Sequence, residues 1–293
     1  MPDGVRPGDL DAVLSRPSGA RARDVQTAGM ATLNGSPASP AALQALALTN
    51  YGHFTTMKVE DGGVRGLALH LARLVADCRA VFGAELDPAW VRECVRREAG
   101  GGRAGAVMVR VTVFDPGLDL TAPDRAGRPG VLVTTRPAAG GAGRPLPALR
   151  VQRLPFHRDT PSVKHVALFG QLRLRRAARL AGFDDVLFSG ADGLVSEGCT
   201  WNIGFVDEAG AVVWPDAEVL PGTTMRLLRA AGAGHVTAPV TDARLRSMRA
   251  AFATSTGLGV RALAAVDDIV FRADDPVIGA LRESYAAVPL DRL

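Results

Sequence analysis

Nine residues near the middle of the chain, Pro137-Ala-Ala-Gly-Gly-Ala-Gly-Arg-Pro145, constrain the fold more than any other stretch. Proline at both ends removes backbone donors, and the three glycines between them favour no single backbone conformation. Neither a helix nor a central strand can run through such a segment, so the chain folds on either side of it. At 293 residues there is enough chain for two domains. The expected division is a loosely ordered extension over 1–30, an N-terminal α+β domain over 31–136, an interdomain linker over 137–148 and a C-terminal domain over 149–293.

The patterns on the two sides differ. Before the linker, residues 54–59 alternate as a strand and run into Glu60-Asp61-Gly62-Gly63, an Asp-Gly hairpin signal. Residues 67–82 repeat apolar side chains at three and four, the spacing of an amphipathic helix. Asp87-Pro88 opens a second helix that stops at Gly100-Gly101-Gly102, and strands follow at 106–114 and 131–135. After the linker, short strands dominate: 149–154, 185–189, 194–197, 201–206, 211–214, 250–254 and 260–264. Helices are expected at 170–180, from 224, at 242–248 and at 276–286. Helices and strands in this order give an α+β protein with a strand-rich second half.

Composition excludes several functions. Net charge is +4, but 30 acidic residues are scattered among the 34 basic ones and aromatics make up only 5%. No basic run is interleaved with aromatics, which argues against nucleic acid. No apolar run is long enough to span a bilayer, and no signal-type segment opens the chain. Three cysteines (Cys78, Cys94, Cys199) without metal spacing suit free thiols in a reducing compartment, so a cytoplasmic protein without a metal is expected. The histidines lack HxxxH spacing and no GxSxG elbow occurs.

The chemistry concentrates between Ser162 and Met225. Thirty-two of the 34 basic residues are arginine; the only lysines are Lys58 and Lys164. Lysine can lose its proton and become a nucleophilic amine, which arginine cannot. Lys58 lies beside a turn and reads as a solvated lysine. Lys164 is followed 33 residues later by Glu197, and then by Leu220-Pro221-Gly222-Thr223-Thr224. That turn offers backbone N–H groups and hydroxyls at a helix start, where an anion is favoured. Taken singly, these are equally a surface lysine, a strand-end carboxylate and a helix cap. Together, an amine, a carboxylate and an anion cradle are what is needed to hold pyridoxal phosphate.

Residues 31–270 resemble the class IV aminotransferase family of fold-type IV pyridoxal-phosphate enzymes, most specifically in GFDDVLFSGADGLVSEGCTWNIGFV and WPDAEVLPGTTM. The family includes branched-chain and D-amino acid aminotransferases and 4-amino-4-deoxychorismate lyase. The resemblance implies a small N-terminal α/β sandwich domain, a larger C-terminal pseudo-barrel domain, and pyridoxal phosphate in the cleft between them. It implies Lys164 as the Schiff-base and proton-shuttling lysine, Glu197 against the pyridine nitrogen and Leu220 on the ring face. It implies Thr223 and Thr224 at the phosphate, Arg73 of LALHLARL gripping the phosphate, and Thr256 (with Ser255 next) in a late phosphate loop. His70 reads as structural. Tyr51 and Thr55, in the segment Tyr51-Gly52-His53-Phe54-Thr55-Thr56, match a strand that lines the substrate side. Arg110 is either a substrate-carboxylate group or a plain strand arginine.

Three positions depart from the family pattern. Phe169 stands where many aminotransferases of the family carry tyrosine, Thr55 stands where many carry glutamate, and Met108 replaces the tyrosine expected beside Arg110. The expected function is transfer of an amino group between an amino acid or amine donor and a 2-oxo acid acceptor. The alternatives are a lyase of the aminodeoxychorismate type, releasing pyruvate, and a non-catalytic member of the fold. By the same resemblance the unit is a homodimer whose partner loop closes the substrate side.

Overall fold

The computed structural model describes residues 31–99, 105–125, 127–138, 146–232 and 234–293. The expected extension over 1–30, the glycine stop at 100–102 and the centre of the expected linker lie outside the described residues.

The first half opens with β1 (Thr32–Leu33), β2 (Ser36–Pro37) and α1 (Pro40–Thr49). It continues with β3 (His53–Glu60), β4 (Gly63–Arg65), α2 (Leu67–Phe82), α3 (Pro88–Ala99), β5 (Val107–Phe114) and β6 (Gly130–Pro137). The hairpin β3–β4 turns at Asp61 and Gly62, with φ of 49° and 72°. Two positive φ values make the mirror-image turn whose twist matches its strands. Helix α3 is capped as expected, the Asp87 carboxylate accepting from the Ala89 N–H at 2.8 Å. Helix α1 escapes the periodicity argument because its apolar residues spread around the helix. Ser39 caps it by accepting from the Ala42 N–H at 3.2 Å, and Pro40 begins it.

These six strands and a seventh from the end of the chain form one seven-stranded sheet. Alternation along β5 sorts its two faces. Val107, Val109, Val111 and Val113 pack against Leu67, Leu74 and Cys78 of α2 and Val91, Cys94 and Val95 of α3. Met108 and Arg110 point the other way, towards the cavity described below.

The second half contains β7 (Leu149–Pro155), α4 (Phe169–Leu180), β8 (Asp185–Ser189), β9 (Val195–Gly198), β10 (Asn202–Val206), β11 (Val212–Pro215) and α5 (Thr223–Ala231). Then come β12 (His235–Ala238), α6 (Asp242–Arg246), β13 (Ala250–Ser255), β14 (Gly259–Val266), β15 (Ile269–Val270), α7 (Pro276–Ala287) and β16 (Leu290–Arg292). The strand order is β12-β11-β10-β13-β14-β7-β8-β9, and β9 pairs back to β10 at Glu197 and Asn202. That pairing closes a barrel around Val151, Leu187, Ile203, Phe205, Ala253 and Leu263. The protein is therefore an α+β, two-domain fold with a pseudo-barrel. Strand β16 leaves the barrel side and pairs with β4 of the first sheet, tying the end of the chain to its first half.

Candidate active site

A cavity of about 280 Å³ lies between the two sheets. Phe54, Thr56, Met108, Arg110 and Arg136 line it from the first sheet; Glu197, Leu220, Thr223, Thr224 and Thr256 line it from the second half. Lys164 and Arg158, on the segment between β7 and α4, complete the floor.

The lysine segment is laid against the first sheet. The Lys164 carbonyl accepts from the Phe54 N–H at 2.9 Å, and the Val166 N–H donates to the Gly52 carbonyl at 2.9 Å. The Lys164 N–H donates to the buried Asp77 carboxylate at 3.1 Å. This fixes the backbone, and the amine turns inward to lie 4.9 Å from the centre of the Phe54 ring. Burial pushes the amine's pKa down to about 7 from 10.5, and Arg73, Arg158 and Arg110 push the same way against Glu197. An amine so placed is substantially neutral at neutral pH and can act as a nucleophile or base.

Glu197 sits where β9 closes the barrel. Arg158 Nη1 donates to its Oε1 at 3.2 Å, and the Leu220 N–H donates to its Oε2 at 3.3 Å. Both partners of the ion pair are buried, their side chains 7% and 8% exposed. Burial pushes the Glu197 carboxyl up, while Arg158 and the Leu220 N–H hold it towards the ionised form. Arg158 also donates to the carbonyls of Pro161 and Val163, at 2.9 and 2.6 Å. One guanidinium thus ties the lysine segment to the glutamate.

The third corner is the turn before α5. Asn202 Nδ2 donates to the Leu220 carbonyl at 2.7 Å and holds the turn, and a Cβ on Gly222 would collide with Asn202 Oδ1. The first N–H groups of α5 have no partner inside the helix. Arg73 reaches this corner from α2. Its Nη2 donates to Thr55 Oγ1 at 2.5 Å, and Thr55 in turn meets His70 Nδ1 at 2.7 Å. Since an arginine donates into Thr55, the threonine hydroxyl donates to a neutral His70, whose pKa burial pushes well below its ordinary value. Arg73 itself is lowered by burial to about 10 and stays a cation at neutral pH. Its Nε and the Thr223 hydroxyl are both buried without a partner among the described residues. Unpaired buried donors are costly unless something accepts from them. A phosphate dianion fits this corner: a cation, hydroxyls, free helix N–H groups and a glycine that leaves the backbone open.

The resulting placement is uneven. Lys164, Arg73, Glu197, Leu220, Thr223, Thr224, Thr256 and Arg110 share the cavity wall, and Tyr51 and Thr55 do not. Strand parity places Thr55 on the face that packs on α2, behind Arg73. Tyr51 lies before β3, its hydroxyl donating to the Val81 carbonyl at 3.0 Å and its ring edge-on to Phe82. Phe169 is 79% exposed at the start of α4 and does not line the cavity. Two residues of the site carry no motif signal. Arg158 is one arginine among many in sequence, and Asp77 becomes visible only as the i+4 neighbour of Arg73 on α2.

The model of the family "Amino-transferase class IV" matches residues 52–266. The chain belongs to that family of pyridoxal-phosphate enzymes. No curated protein matches the chain. Among solved structures it is similar to a fold IV-transaminase from Curtobacterium pusillum (23% identity, 83% of this chain and 86% of that one, TM-score 0.71). It is similar to the PLP-bound form of a hypothetical aminotransferase from Mycobacterium tuberculosis (19%, 88% and 98%, 0.73). A branched-chain aminotransferase from Thermoproteus uzoniensis, solved with norvaline, also matches (17%, 88% and 94%, 0.77). At these identities the likeness is one of fold, fold-type IV. Among the described residues no helix is long and apolar enough to cross a membrane.

Proposed function

We propose that the protein is a pyridoxal-phosphate-dependent aminotransferase that moves an amino group between an amino acid or amine and a 2-oxo acid. The observation that carries this reading is the buried Lys164 amine, lowered to about 7, in one cavity with Glu197 and with the unpaired Arg73 Nε and Thr223 hydroxyl. Pyridoxal phosphate, when bound, supplies an electron sink for the charge left at the substrate carbon.

The chain's own groups have distinct tasks. Arg73, Thr223, Thr224, Thr256 and the α5 N–H groups hold the phosphate. Glu197, whose ionised form Arg158 and the Leu220 N–H favour against burial, would hold a proton on the pyridine nitrogen. Leu220, which lines the cavity, would pack on the ring. Lys164 would hold the cofactor through its Nζ and, as a free amine, would move the proton at the substrate α-carbon. For that it needs a pKa near neutrality. Arg110 faces the substrate carboxylate from the first sheet. A homodimer whose partner loop covers the open side belongs to the same proposal, and sedimentation at equilibrium tests it.

The test is an absorbance spectrum of protein mixed with pyridoxal phosphate, before and after borohydride, beside Lys164→Ala. A long-wavelength band that borohydride fixes covalently in the wild type and not in the variant is expected. An amino-donor screen with 2-oxo acids then follows, with pyruvate measured in parallel. No fixed band in the wild type would sink the cofactor role of Lys164. Pyruvate released without an amino acceptor would move the enzyme to the lyase branch.

A further inference from the structure

Helix α4 carries one polar residue on its buried face. Gln171, Leu174 and Ala178 are its buried residues, three and four apart on the inward side. Leu174 and Ala178 pack against Val186, Phe188 and Cys199. Gln171 heads this apolar stripe, is 3% exposed and lines the cavity. Its backbone carbonyl accepts from Cys199 Sγ at 3.4 Å, but its side-chain amide has no hydrogen-bond partner among the described residues. An amide taken out of water costs free energy unless a partner meets it. Phe169, two residues earlier on the same helix, is turned to solvent instead.

The chemistry of the cofactor says what the amide could meet. Around the ring of pyridoxal phosphate the order is nitrogen, methyl, oxygen, aldehyde and phosphate arm. Glu197 accounts for the nitrogen, Lys164 for the aldehyde, and the corner of Arg73 and Thr223 for the phosphate. The oxygen then falls on the edge between Glu197 and Lys164 that faces away from the phosphate corner. That corner is built from α2 and α5. Gln171 comes from α4, seven residues after Lys164, and touches Cys199, two residues after Glu197.

The neighbouring polar groups are committed elsewhere. Thr200 Oγ1 accepts from Arg175 at 2.9 Å, and Trp201 Nε1 donates to Asp185 at 3.0 Å. His165 Nε2 donates to the Asp159 carbonyl at 2.9 Å, which leaves the Nδ1 of a neutral ring as an acceptor. Arg158 gives its Nη groups to Glu197 and to the carbonyls of Pro161 and Val163, and keeps only Nε.

We propose that the Gln171 side-chain amide donates to the ring oxygen of bound pyridoxal phosphate. The inference rests on the cofactor reading of Lys164 and adds to it a residue that tunes the lysine once the cofactor is held. A proton at the Lys164 nitrogen is held more tightly when the oxygen beside it bears its full negative charge. A neutral donor to that oxygen therefore lowers the pH at which the proton leaves.

The test is a pH titration of the absorbance of protein loaded with pyridoxal phosphate, with no substrate present. The pH midpoint at which the long-wavelength band is lost should rise by about one unit in Gln171→Met, a tenfold change in proton affinity. Gln171→Leu, a second side chain without a donor, should give the same rise, and Phe169→Ala none. A residue that merely packed would weaken cofactor binding without moving the midpoint. A borohydride-fixed band whose midpoint is the same in the wild type and in both Gln171 variants overturns the assignment alone and hands the oxygen to Arg158 Nε. Absence of any fixed band in the wild type brings down the cofactor reading, and this inference with it.

Discussion

The two walls of the cavity are built by different means. The barrel wall presents the Pro-Gly turn, a helix start and the buried pair Arg158–Glu197, all held by hydrogen bonds to backbone. The sheet wall presents side chains from the cavity-facing side of three strands, Phe54 and Met108 buried and Arg136 open to solvent. The first wall suits a ligand that never changes, because backbone and buried groups cannot adapt without disturbing the fold. The second suits a ligand that varies between relatives, because a strand residue there can be exchanged without moving the sheet. Lys164 lies at the seam, its backbone fixed to the first sheet and its amine close to the charges of the second half.

The largest test of this contrast is Lys164→Ala. It should lower the rate of any amino transfer on the order of 10²–10⁴-fold or more and abolish borohydride trapping, with the fold intact by circular dichroism. Next comes Arg158→Met, which strands the Glu197 carboxylate in the interior. A loss of about 3–5 kcal/mol in urea unfolding is expected, since the pair is fully buried. The double replacement Arg158→Met with Glu197→Gln should recover much of that loss. If the single variant unfolds like the wild type, the barrel wall is not held by this pair.

A pH series examines the seam. The Lys164 pKa is about 7 folded against 10.5 for an ordinary lysine. Between those values the unfolded chain binds the extra proton, so this group makes the cofactor-free protein more stable as pH rises from about 7 towards 10.5. Below about 7 both states carry the proton and the folded state bears the whole cost of burying it. Lys164→Met should flatten that slope in denaturant melts, and in the wild type the rate of cofactor capture should rise through a pKa near 7.

Smaller effects are expected at single groups. Thr223→Val should weaken pyridoxal-phosphate binding about tenfold by fluorescence titration. The cofactor-free protein should not be destabilised by it, because the lost hydroxyl has no protein partner among the described residues. Smallest of all, Arg136→Gln should shift unfolding by less than about 0.5 kcal/mol, since Arg136 is exposed and without a hydrogen-bond or ion-pair partner among the described residues. A large stability loss there would mean that the sheet wall is structural after all.

Much of this protein was set by the sequence acting locally. The Asp61-Gly62 turn, the helix over 67–82 and the strand–turn succession from Asp185 to Val206 each follow from short-range stereochemistry and periodicity. The Lys164, Glu197 and Thr223-Thr224 series carries its chemistry in residue types alone. Tertiary structure decided which of these groups meet. Parity along β3 sent Thr55 behind Arg73 and Phe54 into the cavity, a choice that depends on which face α2 covers. Closure of the barrel at Glu197 and Asn202 brought the glutamate to the Pro-Gly turn. Arg158 has no distinguishing neighbour in sequence and Asp77 has only Arg73 four residues before it; their importance comes from burial and from partners 39 and 87 positions away. Local rules fix backbone shape and residue chemistry, whereas desolvation and long-range pairing exist only once the two sheets face each other.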